Sequence, residues 1–86
     1  MRKIVEEVSG EGLEKLLGEK VLLMCANYFY TGKLVGVNTD CVLLSDPAIV
    51  YETGEWSSKS FKDAQPLHVK EWYVARSFIE SFGSAK

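Results

Sequence analysis

The spacing of apolar residues changes from helical to strand-like after Gly18. Leu13, Leu16 and Leu17 are separated by three and one positions, which places them on one side of a short helix. Beyond Gly18 this spacing disappears, and short runs rich in β-branched and aromatic residues alternate with polar turns. The pattern therefore predicts a short helix over residues 12–18 followed by β-strands.

The apolar runs predict five strands in a single domain that covers residues 1–86. The approximate ranges of the strands are 21–25, 28–37, 41–51, 67–75 and 78–82. Residues 1–9 form a charged N-terminal arm, and residues 83–86 form a tail. The polar residues 52–65 form a variable loop, either extended or a β-hairpin extension. A loop of this length in a small domain is often functional or mobile.

Glycines interrupt the second strand and indicate that it bends sharply. Gly32 and Gly36 lie inside a strand pattern, where glycine marks a bulge or a close approach of two backbones. The alternation of apolar positions slips by one residue between Leu34 and Val37, as one extra residue near Gly36 would cause. Pro47 similarly predicts an edge or a bulge in the third strand. Such bends curl a small sheet into an open barrel.

Composition narrows the classes of protein that this chain can represent. Ten Lys and Arg residues against twelve Asp and Glu residues give a net charge of −2, which argues against a general nucleic-acid coat protein but allows a local basic site. Cys25 and Cys41 are too few for a disulfide scaffold, and we interpret them as reduced thiols in the cytoplasm. No apolar run reaches the roughly 20 residues of a membrane span, and no signal peptide is indicated.

The order of these segments resembles that of the Sm-like proteins. The first motif of that family consists of a glycine at a helix end, a Val-rich strand, an aromatic-x-Gly-x-Leu segment and an Asp-centred turn before an apolar strand. The second motif is a tight turn between two apolar strands. The resemblance covers residues 13–82 and depends on residues 17–21, 30–37, 38–44 and 72–79.

This resemblance implies a fold and an activity. The fold would be mainly β, with a short N-terminal helix followed by a strongly bent, five-stranded antiparallel sheet that forms a small open barrel. In the family, the fourth strand of one subunit pairs with the fifth strand of the next, which implies a homo-oligomeric ring of about five to seven copies. Asn38, Asp40 and Arg76 would lie near the ring pore and bind single-stranded RNA, with no cofactor, metal or catalysis.

The chain departs from the family at the positions that read a base. Asn38 replaces the usual Asp, and Cys41 and Val42 stand where one branch has Met-Asn. Valine cannot form a hydrogen bond to a base. Asp40 stands where the bacterial Hfq branch has a stacking aromatic residue, and Arg76 is shifted by one position. The resemblance therefore implies a ring with an altered base-binding pocket.

Structural roles for the same residues remain open. Asn38 and Asp40 can satisfy the backbone of their turn through Asx hydrogen bonds. Arg76 can form an ion pair with Asp40 of the same or a neighbouring subunit. We favour these roles over a nucleotide pocket, and the alternative function is then a structural ring or assembly adaptor that binds protein and no nucleic acid.

The remaining candidate residues have simpler interpretations. His68 is the only histidine, so a zinc site is poorly supported, and no nucleophile with a matching base is evident. We interpret the aromatic run at residues 28–30 as core and interface. Trp72 and Tyr73 place one large ring on each face of a strand, and one of the two rings is expected to cover a neighbouring subunit or the helix.

Overall fold

A computed structural model of the protein describes residues 12–85; the predicted N-terminal arm lies outside this range. The described chain is mainly β, with two short 3₁₀ helices, η1 and η2, and six strands. The elements are η1 (Gly12–Leu16), β1 (Lys20–Cys25), β2 (Phe29–Val37), β3 (Cys41–Glu52), β4 (Asp63–Pro66), β5 (Glu71–Ala75), η2 (Arg76–Phe78) and β6 (Ile79–Ser84).

All six strands belong to one antiparallel sheet, which is not closed into a barrel. The path through the sheet is β4-β3-β2-β1-β6, and β5 pairs with β3 beside β4. The twelve residues of β3 pair with β2 along one edge and with two strands along the other: the first half with β5 and the second half with β4. The expectation of five strands is therefore wrong, because β4 is an additional strand that forms before the predicted fourth strand, and only the second half of that predicted strand forms β5.

Several boundaries differ from the sequence prediction. β4 begins at Asp63, inside the predicted variable loop, because the chain returns there to pair with the end of β3. Residues 67–70 form a bend and not a strand. β6 continues through Gly83 and Ser84, since these residues pair with β1, so the tail begins later than predicted.

The N-terminal helix is shorter and tighter than predicted. It is a 3₁₀ helix with about three residues per turn, so Leu13 and Leu16 align on one side while Leu17 points away. Accordingly, Leu13 is buried, Leu16 is half-buried and Leu17 is exposed. Gly18 then adopts a left-handed conformation with φ of 88°, and its N–H donates to the carbonyl of Leu34 at 2.7 Å.

The sheet has two faces, which cross-strand pairing assigns because paired residues lie on the same side. One face, here called the core face, carries the fully or almost fully buried side chains. These are Val21, Leu23 and Cys25 of β1, Leu34 of β2, Val42 and Leu44 of β3, and Val74 of β5, with Leu13 of η1 packed against them. The opposite face, here called the second face, includes Leu22, Met24, Thr31 and Gly83.

Two irregularities bend the pair β2–β3, as the glycines and the proline predict. Val35 has no partner in the register, which passes from Leu34 opposite Leu44 to Gly36 opposite Leu43. On β3, two residues, Asp46 and Pro47, lie opposite Gly32 alone. Both are β-bulges, in which the extra residue increases the local twist of the strands.

Gly32 lies where the two backbones approach most closely. A Cβ added to Gly32 would lie 3.0 Å from the carbonyl oxygen of Ser45 and 3.3 Å from the Cα of Pro47. Within the bulge on the opposite strand, Asp46 has φ of 49° and its N–H donates to the carbonyl of Lys70 at 3.0 Å. Any side chain at Gly32 would therefore push against backbone atoms of the bulge.

We expect Gly32→Ala to lower the free energy of unfolding by about 1–3 kcal/mol, the usual cost of overpacking. Gly83→Ala is the matched control, because it is also a strand glycine but a Cβ there meets no atom within 4 Å. The control should lie within about 0.5 kcal/mol of the original protein. Urea denaturation of all three proteins at one concentration measures the difference, and equal midpoints for the two variants would contradict the close approach.

Candidate functional site

The structure brings the three predicted site residues together, although Arg76 is 38 positions away from Asn38. Asn38 and Asp40 lie in the turn between β2 and β3, and Arg76 begins η2 directly after β5. The backbone N–H of Arg76 donates to the carbonyl of Asp40 at 2.9 Å, and its Nη1 donates to the backbone carbonyl of Asn38 at 2.7 Å. These contacts exist because β5 pairs with the first half of β3.

The side chain of Asn38 organises its own turn. Its Oδ1 accepts hydrogen bonds from the backbone N–H groups of Asp40 and Cys41, both at 2.8 Å. The backbone N–H of Asn38 donates to the carbonyl of Cys41 at 3.0 Å. This arrangement is an Asx turn, which Asn and Asp form readily. The amide oxygen of Asn38 is therefore already used by the backbone.

Arg76 and Asp40 carry the charges of this cluster, and they do not form an ion pair within the chain. Among residues 12–85 the structure forms one ion pair, between Lys62 and Glu52 at 3.8 Å. The Arg76 guanidinium, which is partly exposed, donates to a neutral carbonyl, and the Asp40 side chain is exposed. Since one hydrogen bond uses one of five guanidinium N–H donors, Arg76 keeps the capacity to bind an anion.

Val42 is buried in the core with 1% of its surface exposed. In the resemblance to Sm-like proteins, this residue stands where one branch of the family carries the side-chain amide that reads a base. Its side chain instead packs on the core face, opposite Val74 of β5. The chain therefore offers no hydrogen-bonding side chain at this position.

An aromatic slot, which the sequence did not predict, lies between the β1–β2 turn and β5. The slot has a volume of about 290 Å³ and lies in the gap between β5 and β1. Its lining includes Tyr28, Tyr30, Trp72 and Phe78, and the rings of Tyr28 and Tyr30 meet edge to face with centroids 6.4 Å apart. The burial of Cys25, which also lines the slot, raises the pKa of its thiol.

A larger cleft lies where the segment between β3 and β4 faces β1 and β6. It has a volume of about 590 Å³, within the roughly 300–1,000 Å³ of most ligand pockets. Leu22 and Met24 of β1, Phe61 of the intervening segment and Gly83 of β6 line it. The two large apolar residues of that segment, Trp56 and Phe61, line the cleft. The polar loop predicted from the sequence therefore forms one wall of a cavity.

Three strands, β4, β5 and β6, each have one unpaired edge within residues 12–85. β5 pairs only with β3, and β6 pairs only with β1, although the two strands follow each other with η2 alone between them. Large apolar side chains are exposed along this stretch: Trp72, Tyr73, Phe78 and Phe82. The sequence predicted that Trp72 and Tyr73 lie on opposite faces of one strand. Only the tertiary structure shows that this strand has an unpaired edge.

Within residues 12–85 no group of three or more His, Cys, Asp or Glu side chains is arranged to hold a metal ion. His68, the only histidine, is exposed in the bend before β5. The described part of the chain has no helix that is long and apolar enough to span a bilayer.

Comparison with known proteins identifies no relative: no protein-family model, no curated protein and no solved structure matches the chain.

We expect Asn38→Ala to lower the free energy of unfolding by about 1 kcal/mol, because two backbone N–H groups lose their acceptor. Asn38→Asp should retain most of the stability, since a carboxylate oxygen accepts the same two hydrogen bonds. Asn27→Ala is the matched control, as Asn27 is exposed in the β1–β2 turn. Thermal unfolding of the three variants tests this, and equal losses in Asn38→Ala and Asn38→Asp would contradict the role of the acceptor.

Proposed function

We propose that the protein is an Sm-like ring protein, in which about five to seven copies of the chain join head to tail. The observation that carries this proposal is the open gap between β5 and β6. Both strands have a free edge within residues 12–85, and they belong to opposite ends of one sheet. A copy that pairs its β6 with the β5 of a neighbour leaves its own β5 free for the next copy.

Pairing of these two strand edges with another chain is energetically favourable. An unpaired edge presents backbone N–H and C=O groups that pair readily with another chain. Tyr73 and Phe78 have 67% and 60% of their surfaces exposed, so aromatic area is also available for burial at this contact. Because the two edges are different surfaces, the contact is head to tail, and such contacts close into rings or continue as fibres.

We propose further that the ring binds single-stranded RNA through Arg76, weakly and with little preference for base. Arg76 would be repeated once per subunit, and several weak sites on one ring act together through their effective concentration. The burial of Val42 and the occupied amide oxygen of Asn38 support weak base discrimination. Asp40 lies beside Arg76 and would repel phosphate. The reduced thiols favour a cytoplasmic protein.

A structural ring or assembly adaptor is the second candidate function. It is favoured by the net charge of −2 and by the Asx turn, which engages the side chain of Asn38 in the fold itself. An adaptor would bind protein and no nucleic acid. The two functions share the ring and differ in whether Arg76 contacts RNA.

The assembly is tested by the native mass of the purified protein. We expect a mass of about five to seven chains by light scattering, because each copy has two complementary edges. The mass should not change on moderate dilution, since a closed ring breaks only when two contacts open. A stable monomer at every concentration would overturn the ring.

RNA binding is tested by titrating short poly-U and poly-A into the ring. We expect similar affinities for both, a steep loss between about 50 and 200 mM salt, and tighter binding by Asp40→Asn. Arg76→Ala should weaken binding at least several-fold, whereas Lys33→Ala, which removes an exposed charge of β2, should have a smaller effect. Absence of binding in both the original protein and Asp40→Asn would favour the adaptor.

A further inference from the structure

Three residues of β1 form a row on the second face, here called the strip, with a charge at one end. Side chains alternate along a strand, so Lys20, Leu22 and Met24 point to the same side, and all three line the cleft of about 590 Å³. Lys20 is exposed, whereas Leu22 and Met24 are half-buried. At roughly 3.3 Å per residue, the strip is about 13 Å long. The floor of the cleft is therefore apolar and begins at a cation.

The neighbouring strand β6 leaves the strip open. Gly83 pairs with Leu22, and Ser81 pairs with Met24, so the residues of β6 beside the two apolar side chains are small. A Cβ added to Gly83 meets no atom within 4 Å. An unbranched chain can therefore lie along the strip without displacing a side chain of β6.

The segment between β3 and β4 forms the wall of the cleft and is closed at its base. The backbone N–H of Lys62 donates to the carbonyl of Thr53 at 3.3 Å, and its Nζ lies 3.8 Å from Oε1 of Glu52. Phe61, which is half-buried, and Trp56 line the cleft from this segment. The cleft therefore has an apolar floor and an aromatic wall, which is the typical lining of a small-molecule site.

Two lysines face each other at the charged end of the strip. Lys20 of β1 pairs directly with Lys33 of β2, and both are exposed. Like charges directly opposite each other destabilise a sheet. Among residues 12–85 neither lysine forms an ion pair. An anion bound beside Lys20 would offset this repulsion.

The carboxylate of the lining whose position the pairing defines lies at the other end. Asp63 pairs with Glu52, beyond the row of residues that pairs across the sheet from Met24 and therefore far from Lys20. The remaining charged residues of the lining belong to the segment between β3 and β4 and are Glu55, Lys59 and Lys62. A negatively charged group is therefore favoured at the Lys20 end of the strip and disfavoured at the Met24 end.

We propose that the cleft binds a medium-chain fatty acid, with its alkyl chain along the strip and its carboxylate beside Lys20. The strip is comparable in length to the extended chain of decanoate, and its linear form suits an unbranched ligand. The ammonium of Lys20 would donate a charge-assisted hydrogen bond to the carboxylate. This site is separate from Arg76, and its occupation does not require the proposed ring.

Titration calorimetry with decanoate tests the site in the original protein. We expect one decanoate to bind per chain. Decanol, which has the same chain without the charge, should bind more weakly. Hexanoate should also bind more weakly, because its shorter chain does not extend from Lys20 to Met24.

Lys20→Glu tests the charged end of the strip. Decanoate binding should weaken several-fold, whereas decanol binding should change by less than about twofold, because decanol carries no charge. The variant places opposite charges at positions 20 and 33, so its melting temperature should not fall. Lys70→Glu is the matched control, since Lys70 is exposed in the bend before β5 and outside the cleft, and it should bind decanoate as the original protein does.

Gly83→Leu tests the apolar part of the strip. Its side chain fills the open space beside Leu22, so the binding of both decanoate and decanol should be lost. Gly83→Ala adds one methyl group to the same open space and should keep the binding of both. Circular dichroism spectra identical to that of the original protein would show that both variants are folded.

The outcomes separate this site from other uses of the cleft. Equal affinities for decanoate and decanol, with no effect of Lys20→Glu, would show that the charged end does not bind a carboxylate and would overturn the proposal. Unchanged decanoate binding by Gly83→Leu would place the ligand elsewhere and would also overturn it. If decanoate does not bind the original protein, another occupant, such as residues 1–11 or a second copy, covers the cleft, and the proposal is wrong. None of these results depends on the native mass, so the ring and this site stand or fail separately.

Discussion

The rest of the structure depends on the bulge at the centre of β3. Asp46 and Pro47 lie opposite Gly32 alone, and the absence of a side chain at Gly32 lets the two backbones approach. β3 pairs with β2 along one edge, and on its other edge the first half pairs with β5 and the second half with β4, on either side of the bend. The N–H of Leu67 donates to the carbonyl of Pro47 at 2.8 Å and fixes the chain between those partners.

The position of β5 decides the geometry of the candidate site. Because β5 pairs antiparallel with the first half of β3, it ends beside the β2–β3 turn, and Arg76 reaches the carbonyl of Asn38. The same position leaves β5 unpaired on its other side, while β6 crosses to pair with β1. The way the chain passes from β5 to β6 therefore produces both the cluster of Asn38, Asp40 and Arg76 and the free edges of β5 and β6. In the proposed ring, assembly and ligand binding share this origin, since η2 connects both edges and begins with Arg76.

The two faces of the sheet have different roles. The core face buries the aliphatic side chains that stabilise the single chain, including Leu23, Leu34 and Leu44. The second face is covered partly by the segment between β3 and β4, which leaves the cleft beside Gly83. A small domain has only one core of its own, and here that core lies on the core face.

The sequence by itself determined the mainly β class, the bend in β2 and β3, and the turn that begins at Asn38. These features depend on local chemistry. Glycine and proline mark bulges in strands, and the side-chain oxygen of Asn38 accepts hydrogen bonds from backbone N–H groups two and three residues along the chain. Only the tertiary structure decided the number of strands, the contact of Arg76 with the turn and the cleft at Gly83. Each of these depends on which strands pair across the sheet, and apolar alternation shows that a segment is a strand without naming its partner.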